Sequence, residues 1–471
     1  MIHAVRFRNF KALREVELEL DRFTVLVGPN ASGKTSVLEG LHHLTRLAAT
    51  DPRRIFEGRA DIGVIASRGA QGAFELGFSG TFRRKRGELS ISFPAIEDYP
   101  FSDAYRLESR WGDRRFSVRR ELRPPEDVVP AEVGNAGADV PLGLVVREAA
   151  YLRLDPDRLA EASYSDLPTP IIGPDGAGLA AVVADMAVAR PDDFQRLQDA
   201  LRAVLPGLLR VRLVRARVPR GAAHEDPVWG HEIVFDMAGA TDIPARGASE
   251  GVLLMLGLFA TLLGPDRHEL VLIDRLERAV SPRSLGDLMA QLTQILALDP
   301  NLQIVATSDS PALLDHQSAE SVRVHCLLED GSVRVKPLTL HPEHALLRED
   351  LRPGEFWSQV GDDWVADEVA PDAPPRAVAV SDAPTIEAHS WPPTMPPLPS
   401  PRAGGFAPKG PPREGASMPR PPFPGAISMP RPPLPGAISM PRPPPLEGGL
   451  GANPSPPEGG HTPRPPGTGR Q

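Results

Sequence analysis

The chain opens with alternating apolar and polar residues, which is typical of strands that bury one face. This alternation over residues 2–7 and 14–20 predicts two antiparallel strands. The apolar run 23–27 predicts a third strand, and apolar residues at helical spacing over 34–47 predict a helix. A short glycine-containing segment separates the third strand from this helix, so the chain begins with three strands, a tight loop and a helix.

The remaining pattern consists of a β-rich segment and a region in which strands and helices alternate. Short β-like stretches over 74–120 predict an antiparallel β-layer or lid. The prolines and glycines of 121–145 predict a loop, and regular structure is expected again over 145–154. The later predicted elements are strands at 208–218, 232–237, 270–273 and 303–307, a hairpin at 321–338, and helices at 178–189, 192–205, 250–263 and 282–298. This alternation predicts an α/β fold with a mainly parallel sheet that is covered on both faces.

Composition changes after residue 370. Of the 55 prolines, 31 lie in the 101 residues from Pro371 to the end, which predicts a disordered tail because such a segment buries too little apolar surface. The tail repeats Ser-Met-Pro-Arg-Pro-Pro at a period of 11, from Ser417, Ser428 and Ser439. Its Arg-Pro-Pro elements resemble ligands of polyproline-binding grooves, which would give the tail a protein partner. A passive, expanding repeat is the favoured interpretation, and a docking site for a partner is the alternative.

The 471 residues carry a formal net charge of −9, and the tail has nine Lys/Arg against six Asp/Glu, so the acidic excess lies in residues 1–370. This balance does not support a head whose whole surface binds nucleic acid, although a local basic stripe is compatible with it. The single cysteine, Cys326, lies in an apolar run that predicts a buried thiol, and it excludes disulfides within the chain. Without a run of 18 apolar residues or a secretory N-terminus, we expect a cytoplasmic protein without membrane contact.

The segment between the third strand and the first helix fits the phosphate-binding pattern G-x-x-x-x-G-K-[ST]. Gly28 and Gly33 allow the backbone to turn its N–H groups toward phosphate oxygens, and the helix adds its positive N-terminal end. Lys34 would reach the β- and γ-phosphates, and the Thr35 hydroxyl would bind Mg²⁺. We therefore expect the chain to bind a nucleoside triphosphate. The candidate binding residues are Gly28, Pro29, Asn30, Ala31, Ser32, Gly33, Lys34, Thr35 and Ser36.

A phosphate loop needs a second acidic group that holds Mg²⁺ from the end of a hydrophobic strand. The apolar run 270–273 ends at Asp274, as a Walker B strand does. Asp274 and Thr35 are therefore the candidate metal ligands. An ordinary aspartate at a strand end is the alternative.

Several further segments occur in a recognisable order. They are Phe7-Arg8-Asn9-Phe10-Lys11 at the start, Ser249-Glu250-Gly251 before a long apolar helix, Asp274 with Glu277, and Thr307 followed by Ser310-Pro311-Ala312-Leu313-Leu314. Together with the phosphate loop they resemble ABC-type ATPase heads of the SMC and RecF-like group. The resemblance is closest to stand-alone AAA-family proteins of the overcoming-lysogenization-defect (OLD) and AAA_21 kind, and it spans about residues 1–340. It implies a P-loop head that binds ATP and Mg²⁺.

The resemblance also implies a homodimer in which two heads sandwich ATP. Each phosphate loop would then face the partner's signature segment, whose Ser249 and Gly251 would contact the γ-phosphate in trans at a helix N-terminus. A simple N-cap role for Ser249 is the alternative.

Two catalytic positions depart from the family pattern. The family places a glutamate directly after the Walker B aspartate, and this chain has Arg275; the family places a switch histidine where this chain has Asp309. Arginine cannot accept a proton, and an aspartate beside the γ-phosphate would repel it. We hypothesise an ion pair between Arg275 and Asp309 that leaves binding intact and hydrolysis slow or absent. Glu277, two residues further on, is the alternative water-positioning residue.

The sequence thus predicts a head at residues 1–345 with an inserted β-layer and loop at about 70–145, a linker at 346–370 and the tail at 371–471. The predicted function is an ATP-gated dimerising switch with weak or no hydrolysis. The alternative is an active Mg²⁺-dependent ATPase in DNA repair or maintenance, or in defence against mobile DNA. Whether the protein is an ATPase is left open by the two replacements.

Overall fold

The computed structural model describes residues 1–50, 55, 65–67, 72–93, 105–120, 140–219 and 227–367. The described strands form three sheets. They are β1 (Ile2–Phe10), β2 (Leu13–Glu19), β3 (Phe23–Val27), β4 (Phe74–Phe82), β5 (Lys85–Phe93), β6 (Tyr105–Trp111), β7 (Arg114–Arg120), β8 (Ala150–Leu152), β9 (Leu208–Val218), β10 (Val228–Met237), β11 (Ala240–Pro244), β12 (Leu270–Ile273), β13 (Gln303–Thr307), β14 (Val322–Leu327) and β15 (Val333–Pro337).

The described α-helices cover the faces of these sheets. They are α1 (Lys34–Leu47), α2 (Pro156–Leu159), α3 (Leu179–Ala189), α4 (Pro191–Val204), α5 (Glu250–Leu263), α6 (Leu285–Leu298), α7 (Pro311–Leu314), α8 (His344–Leu347) and α9 (Pro353–Val360). No helix among the described residues combines the length and the apolar character needed to cross a bilayer.

The central sheet has the strand order β15-β14-β3-β13-β12-β8, and β14, β3, β13, β12 and β8 run parallel. Successive side chains of β3 point to opposite faces: Val25 and Val27 join the core beneath α3–α6, and Leu26 joins the core around α1. Both faces are therefore buried, which explains the continuous apolar runs and confirms the predicted α/β fold with a mainly parallel sheet.

The second sheet is antiparallel, in the order β2-β1-β4-β5-β6-β7. It contains the predicted β-layer, joined edge to edge to the first two strands through the pairing of β1 with β4. Apolar side chains of its inner face pack with one face of α1 in a single core, including Phe7, Phe78 and Leu41. The N-terminal strands therefore belong to the β-layer and form its attachment to the rest of the protein.

The third sheet, β11-β10-β9, contains the predicted strand pair at 208–218 and 232–237 and one strand that the sequence did not predict, β11. The alternation in β11 is obscured because its residues are largely exposed. Of the predicted loop at 121–145, residues 121–139 lie outside the described residues, and Pro141–Leu144 forms a 3₁₀ turn. Within the predicted segment 145–154, Ala150–Leu152 forms strand β8.

The C-terminal part of the head differs from its prediction. The hairpin predicted at 321–338 is formed by β14 and β15, but β14 also pairs with β3 and so extends the central sheet. In place of a linker from residue 346, α9 packs its buried Phe356 into the main core, together with Val365. The predicted tail at 371–471 lies outside the described residues.

Candidate functional site

The predicted phosphate loop lies between β3 and α1, at the carboxyl end of the central sheet. Gly28 and Gly33 have φ values of 138° and 80°, which an L-residue with a side chain rarely adopts. Space is also limited: a Cβ on Gly28 would overlap the backbone oxygen of His325, and a Cβ on Gly33 would lie 2.9 Å from the Leu13 side chain. These glycines are therefore required both for the turn and for close packing of the loop.

Lys34 is held inside this loop. Its Nζ donates hydrogen bonds to the backbone oxygens of Gly28 at 2.6 Å and Pro29 at 2.9 Å, and it forms an ion pair with Oδ1 of Asp309 at 3.0 Å. The lysine side chain is 10% exposed and the aspartate 42% exposed. The ammonium group is therefore positioned at the loop and is paired with a carboxylate from the end of the neighbouring strand β13.

Asp274 and Thr35, the two candidate metal ligands, lie side by side. The Thr35 hydroxyl is 3.2 Å from both carboxylate oxygens of Asp274, and the Thr307 hydroxyl donates to Oδ1 at 2.7 Å. A hydroxyl and a carboxylate at the mouth of a phosphate loop fit Mg²⁺, which takes few protein ligands and completes its octahedron with water and phosphate oxygens. The arrangement could therefore hold the metal ion of a bound nucleotide.

Arg275 has a left-handed backbone conformation, with φ 58° and ψ 68°, and its N–H donates to the Thr307 hydroxyl at 2.8 Å. The hypothesised ion pair between Arg275 and Asp309 is wrong, because Asp309 pairs with Lys34 instead. Arg275 lines a cavity of about 360 Å³ together with Leu254. Of the two altered catalytic positions, Asp309 is paired with Lys34, and Arg275 forms no ion pair with a carboxylate of the described residues.

Glu277 lies beside the Asp309 loop. The left-handed residue 275 leads into a 3₁₀ turn at Leu276–Ala279, and this turn brings Oε1 of Glu277 to 3.1 Å from the backbone N–H of Asp309. Its other oxygen, Oε2, is buried and has no hydrogen-bond partner among the described residues. A carboxylate is therefore present near the predicted γ-phosphate position, although two residues later than the family pattern places it.

Ser249 and Gly251 lie at the start of α5. Ser249 occupies the N-cap position, but its exposed side chain makes no capping hydrogen bond. Glu250 forms an ion pair with Arg278 at 2.6 Å, which links the start of α5 to the turn after Asp274. Among the hydrogen bonds and ion pairs of the described residues, none joins Ser249 or Gly251 to the phosphate loop of the same chain.

His325 is a site residue that the sequence did not reveal. It is fully buried on β14 beneath the loop, and its Nδ1 lies 3.0 Å from the backbone oxygen of Ser32. Since that oxygen only accepts hydrogen bonds, Nδ1 carries the proton and donates it. The buried Nε2 has no partner among the described residues. A histidine in the middle of a fully buried stretch of strand β14, next to Cys326 and Val324, was the available signal.

The buried His325 should make stability fall in mild acid. Burial, with a smaller contribution from the charge of Lys34, lowers the pKa of His325 to about 4. The unfolded chain therefore binds a proton below about pH 6.5, whereas the folded protein does not until about pH 4. Between these values the free energy of unfolding should decrease by roughly 3 kcal/mol.

Urea unfolding at a series of pH values measures this decrease. In His325→Gln the decrease attributable to this residue should disappear, whatever the absolute stability of the variant. The surface replacement His3→Gln should leave it unchanged. An identical pH dependence in the wild type and His325→Gln would contradict the assignment.

Solved structures similar to this chain include three SMC head domains. An SMC head bound to the C-terminal winged-helix domain of ScpA has a TM-score of 0.48 and 15% identity, and covers 73% of this chain and 99% of its own. The SMC head domain from Thermotoga maritima has a TM-score of 0.39 and 11% identity, and covers 71% and 98%. An SMC head with an extended coiled coil, bound to the C-terminal domain of ScpA from Pyrococcus furiosus, has a TM-score of 0.45 and 12% identity, and covers 74% and 98%.

No curated protein matches the sequence. The family model AAA_21, described as "AAA domain, putative AbiEii toxin, Type IV TA system", matches residues 23–315. The match includes the phosphate loop, the start of α5, Asp274 and Asp309, and it covers more than half of the 471 residues. The chain therefore belongs to the AAA_21 family and has an ATPase domain of the P-loop type.

Proposed function

We propose that this domain is an ATP-gated switch, in which ATP and Mg²⁺ drive the association of two heads and hydrolysis is slow. The observation that supports it is the ion pair between Lys34 and Asp309, which sets a carboxylate where the terminal phosphate of a nucleotide would bind. ATP must displace this carboxylate to reach the lysine. Binding and rearrangement of the Asp309 loop are thereby coupled.

The loop residues supply the groups that bind the triphosphate. Backbone N–H groups at residues 30–33 and the N-terminus of α1 would face the phosphates, and the Lys34 ammonium would contact the terminal ones. Thr35 and Asp274 would hold Mg²⁺, which bridges phosphate oxygens and neutralises their charge when bound. The hydroxyl of Thr307 orients the Asp274 carboxylate for this role.

Slow hydrolysis follows from the residues next to these groups. Arg275 stands where a carboxylate would accept a hydrogen bond from the attacking water, and a guanidinium has no acceptor. Asp309 adds a negative charge at the point where charge develops on the transferred phosphoryl group. Both changes act on the transition state more than on ground-state binding.

Association of two heads is supported by the start of α5. The first N–H groups of a helix have no intrahelical partner, and the exposed Ser249 side chain does not cap them. The negative charge of Glu250 is compensated by Arg278. This helix start is therefore available to an anion, such as the γ-phosphate held by a second copy of the chain.

Size-exclusion chromatography with light scattering tests the switch. The wild type should be monomeric without nucleotide and dimeric with ATP and Mg²⁺. Ser249→Asp should remain monomeric but bind ATP normally, because its new carboxylate would face the phosphate held by the partner. The matched control Ser281→Asp, at another exposed serine, should still dimerise. A wild type that stays monomeric under all conditions would contradict the proposal.

Glu277 supports a second candidate function, an active ATPase of the kind that acts in DNA maintenance or in defence against mobile DNA. Its Oε1 accepts a hydrogen bond from the Asp309 N–H, and its buried Oε2 has no partner among the described residues and could orient a water molecule. Steady-state phosphate release separates the two candidates. Turnover near ~1 s⁻¹, the low end for phosphoryl-transfer enzymes, that is lost in Glu277→Gln would favour the active ATPase.

A further inference from the structure

We propose that one end of the antiparallel sheet binds the phosphate backbone of duplex DNA. This surface, termed the basic end, consists of seven positively charged residues on β4–β7 and their turns. All seven are exposed: Arg83, Arg84, Lys85, Arg86, Arg110, Arg114 and Arg115. The proposal is independent of the nucleotide site.

The topology of the sheet brings these residues together. The pair Phe82–Lys85 closes the β4–β5 turn, and the pair Trp111–Arg114 closes the β6–β7 turn. Gly87 of β5 lies opposite Trp111 of β6, so the two turns are at the same end of the sheet. Residues separated by almost thirty positions in the sequence therefore form one surface.

The positive charge of the basic end is largely uncompensated. Four carboxylates lie on β4–β7 and their turns, at Glu75, Glu88, Glu108 and Asp113. Glu75 pairs with Arg8 at 3.9 Å, and Glu88 pairs with Arg86 at 3.1 Å. Five of the seven cations form no ion pair with any carboxylate of the described residues: Arg83, Arg84, Arg110, Arg114 and Arg115. In a chain with an overall charge of −9, such a concentration of cations marks a site for a polyanion.

The backbone of the β4–β5 turn indicates that its side chains are not there to form the turn. Arg83 and Arg84 have φ values of 47° and 65°, as in the two-residue hairpin turn that strongly favours Asn-Gly. Residues with a Cβ are disfavoured in this conformation. Two consecutive arginines therefore oppose the local backbone preference, a pattern that points to a role for the guanidinium groups.

A groove of about 600 Å³ continues from the basic end across the outer face of the sheet. Its polar lining contains four arginines, several serines and three carboxylates: Arg6, Arg86, Arg110, Arg115, Ser79, Ser90, Ser109, Ser117, Glu17, Glu88 and Glu108. Guanidinium and hydroxyl groups are the usual donors to phosphate oxygens in protein–DNA contacts. The groove therefore adds hydrogen-bond donors beside the basic end, and its arginines outnumber its carboxylates by one.

The lack of exposed apolar side chains on the described part of this sheet favours a nucleic acid over a membrane or a protein as the bound polyanion. No large apolar side chain is exposed among described residues 72–93 and 105–120, which leaves no anchor for a bilayer or for the core of a protein interface. Trp111 lies under the Lys85 ammonium, 5.3 Å from its ring centre, and donates its N–H to the backbone oxygen of Phe82. Trp111 and Phe116 are half-buried and pack against the core, which limits stacking on unpaired bases, so duplex DNA fits better than a single strand.

Fluorescence anisotropy with a labelled DNA duplex tests the proposal, in the full-length protein and over a series of salt concentrations. The double variant Arg84→Gln/Arg115→Gln removes two phosphate contacts. Because each contact contributes about 0.9 to the slope of log K against log salt, we expect a slope less steep by about 2 and binding weaker by roughly 10–100-fold at 0.1 M salt. Binding should not depend on the sequence of the duplex.

The matched control Arg283→Gln/Arg348→Gln removes the same charge from exposed residues outside the basic end and should bind like the wild type. Equal weakening in both double variants would show a general charge effect and overturn the proposal. So would the absence of duplex binding, tighter binding of the single strand of the same sequence, or binding to phosphatidylserine vesicles alone. Circular dichroism confirms that each variant is folded.

Discussion

Replacing Lys34 with alanine should weaken ATP binding by roughly 10–100-fold, because a hydrogen bond to a charged group contributes about 1.5–3 kcal/mol. The geometry supports a large effect, since the ammonium is already held by the Gly28 and Pro29 oxygens and needs little reorganisation to meet a phosphate. Isothermal titration calorimetry with ATP and Mg²⁺ measures the change.

Two further variants distinguish a specific effect on the nucleotide site from a general effect of charge. Asp309→Ala should bind ATP more tightly than the wild type, because the phosphate no longer has to displace a carboxylate from Lys34. Lys85→Ala removes one cation from the basic end and should bind ATP normally. If Lys34→Ala binds ATP as the wild type does, the loop is not the nucleotide site, and the proposed switch fails with it.

Restoring the family residues at both altered positions should increase ATP hydrolysis. In Arg275→Glu/Asp309→His a carboxylate would stand directly after Asp274 and an imidazole would face the terminal phosphate. Positioned acid–base groups typically contribute 10²–10⁴-fold to rate, so we expect an increase of about that size in steady-state phosphate release. Glutamate and arginine both carry a Cβ, so the replacement does not worsen the left-handed backbone at 275.

The control for this gain is the same double variant with Lys34→Ala added, which should lose the activity. Single replacements should give less than the pair if the two groups act together. No increase in the double variant would indicate that something other than these two side chains limits hydrolysis. Rapid hydrolysis by the wild type that Glu277→Gln abolishes would instead favour the active ATPase.

The sequence predicted the elements around the nucleotide site well because each has a simple pattern. Helix α1 has its predicted bounds, 34–47, and β3 has its predicted bounds, 23–27. The position of β14 in the central sheet was not predictable, since its pairing with β3 is a contact between residues almost 300 positions apart. Periodicity assigns an element to a face and says little about its neighbours.

The ion pairs of the site were harder to predict than its residues. The sequence placed Arg275 and Asp309 at adjacent strand ends, and opposite charges there suggested a pair. The outcome depended on the left-handed backbone of Arg275 and on the reach of Lys34 to Asp309, and neither is visible in a pattern of residue types. The net charge of the chain did not indicate the basic end either, because a sum over all residues does not show a local excess of positive charge.

The position of the last hairpin in the central sheet has a consequence for how the protein is made. The backbone of His325 closes against Gly28, and the side chain of Val333 lies against Gly33, so the loop acquires its walls from residues that are translated last in the sheet. At about 5–20 residues per second, the ~300 residues between the loop and Val333 take roughly 15–60 s to emerge. During that interval β3 would lack its β14 neighbour and expose an unpaired edge. A nascent or truncated chain that ends before residue 322 should therefore be unable to retain nucleotide. The chain should begin to retain nucleotide only after the last strands of the head have been synthesised.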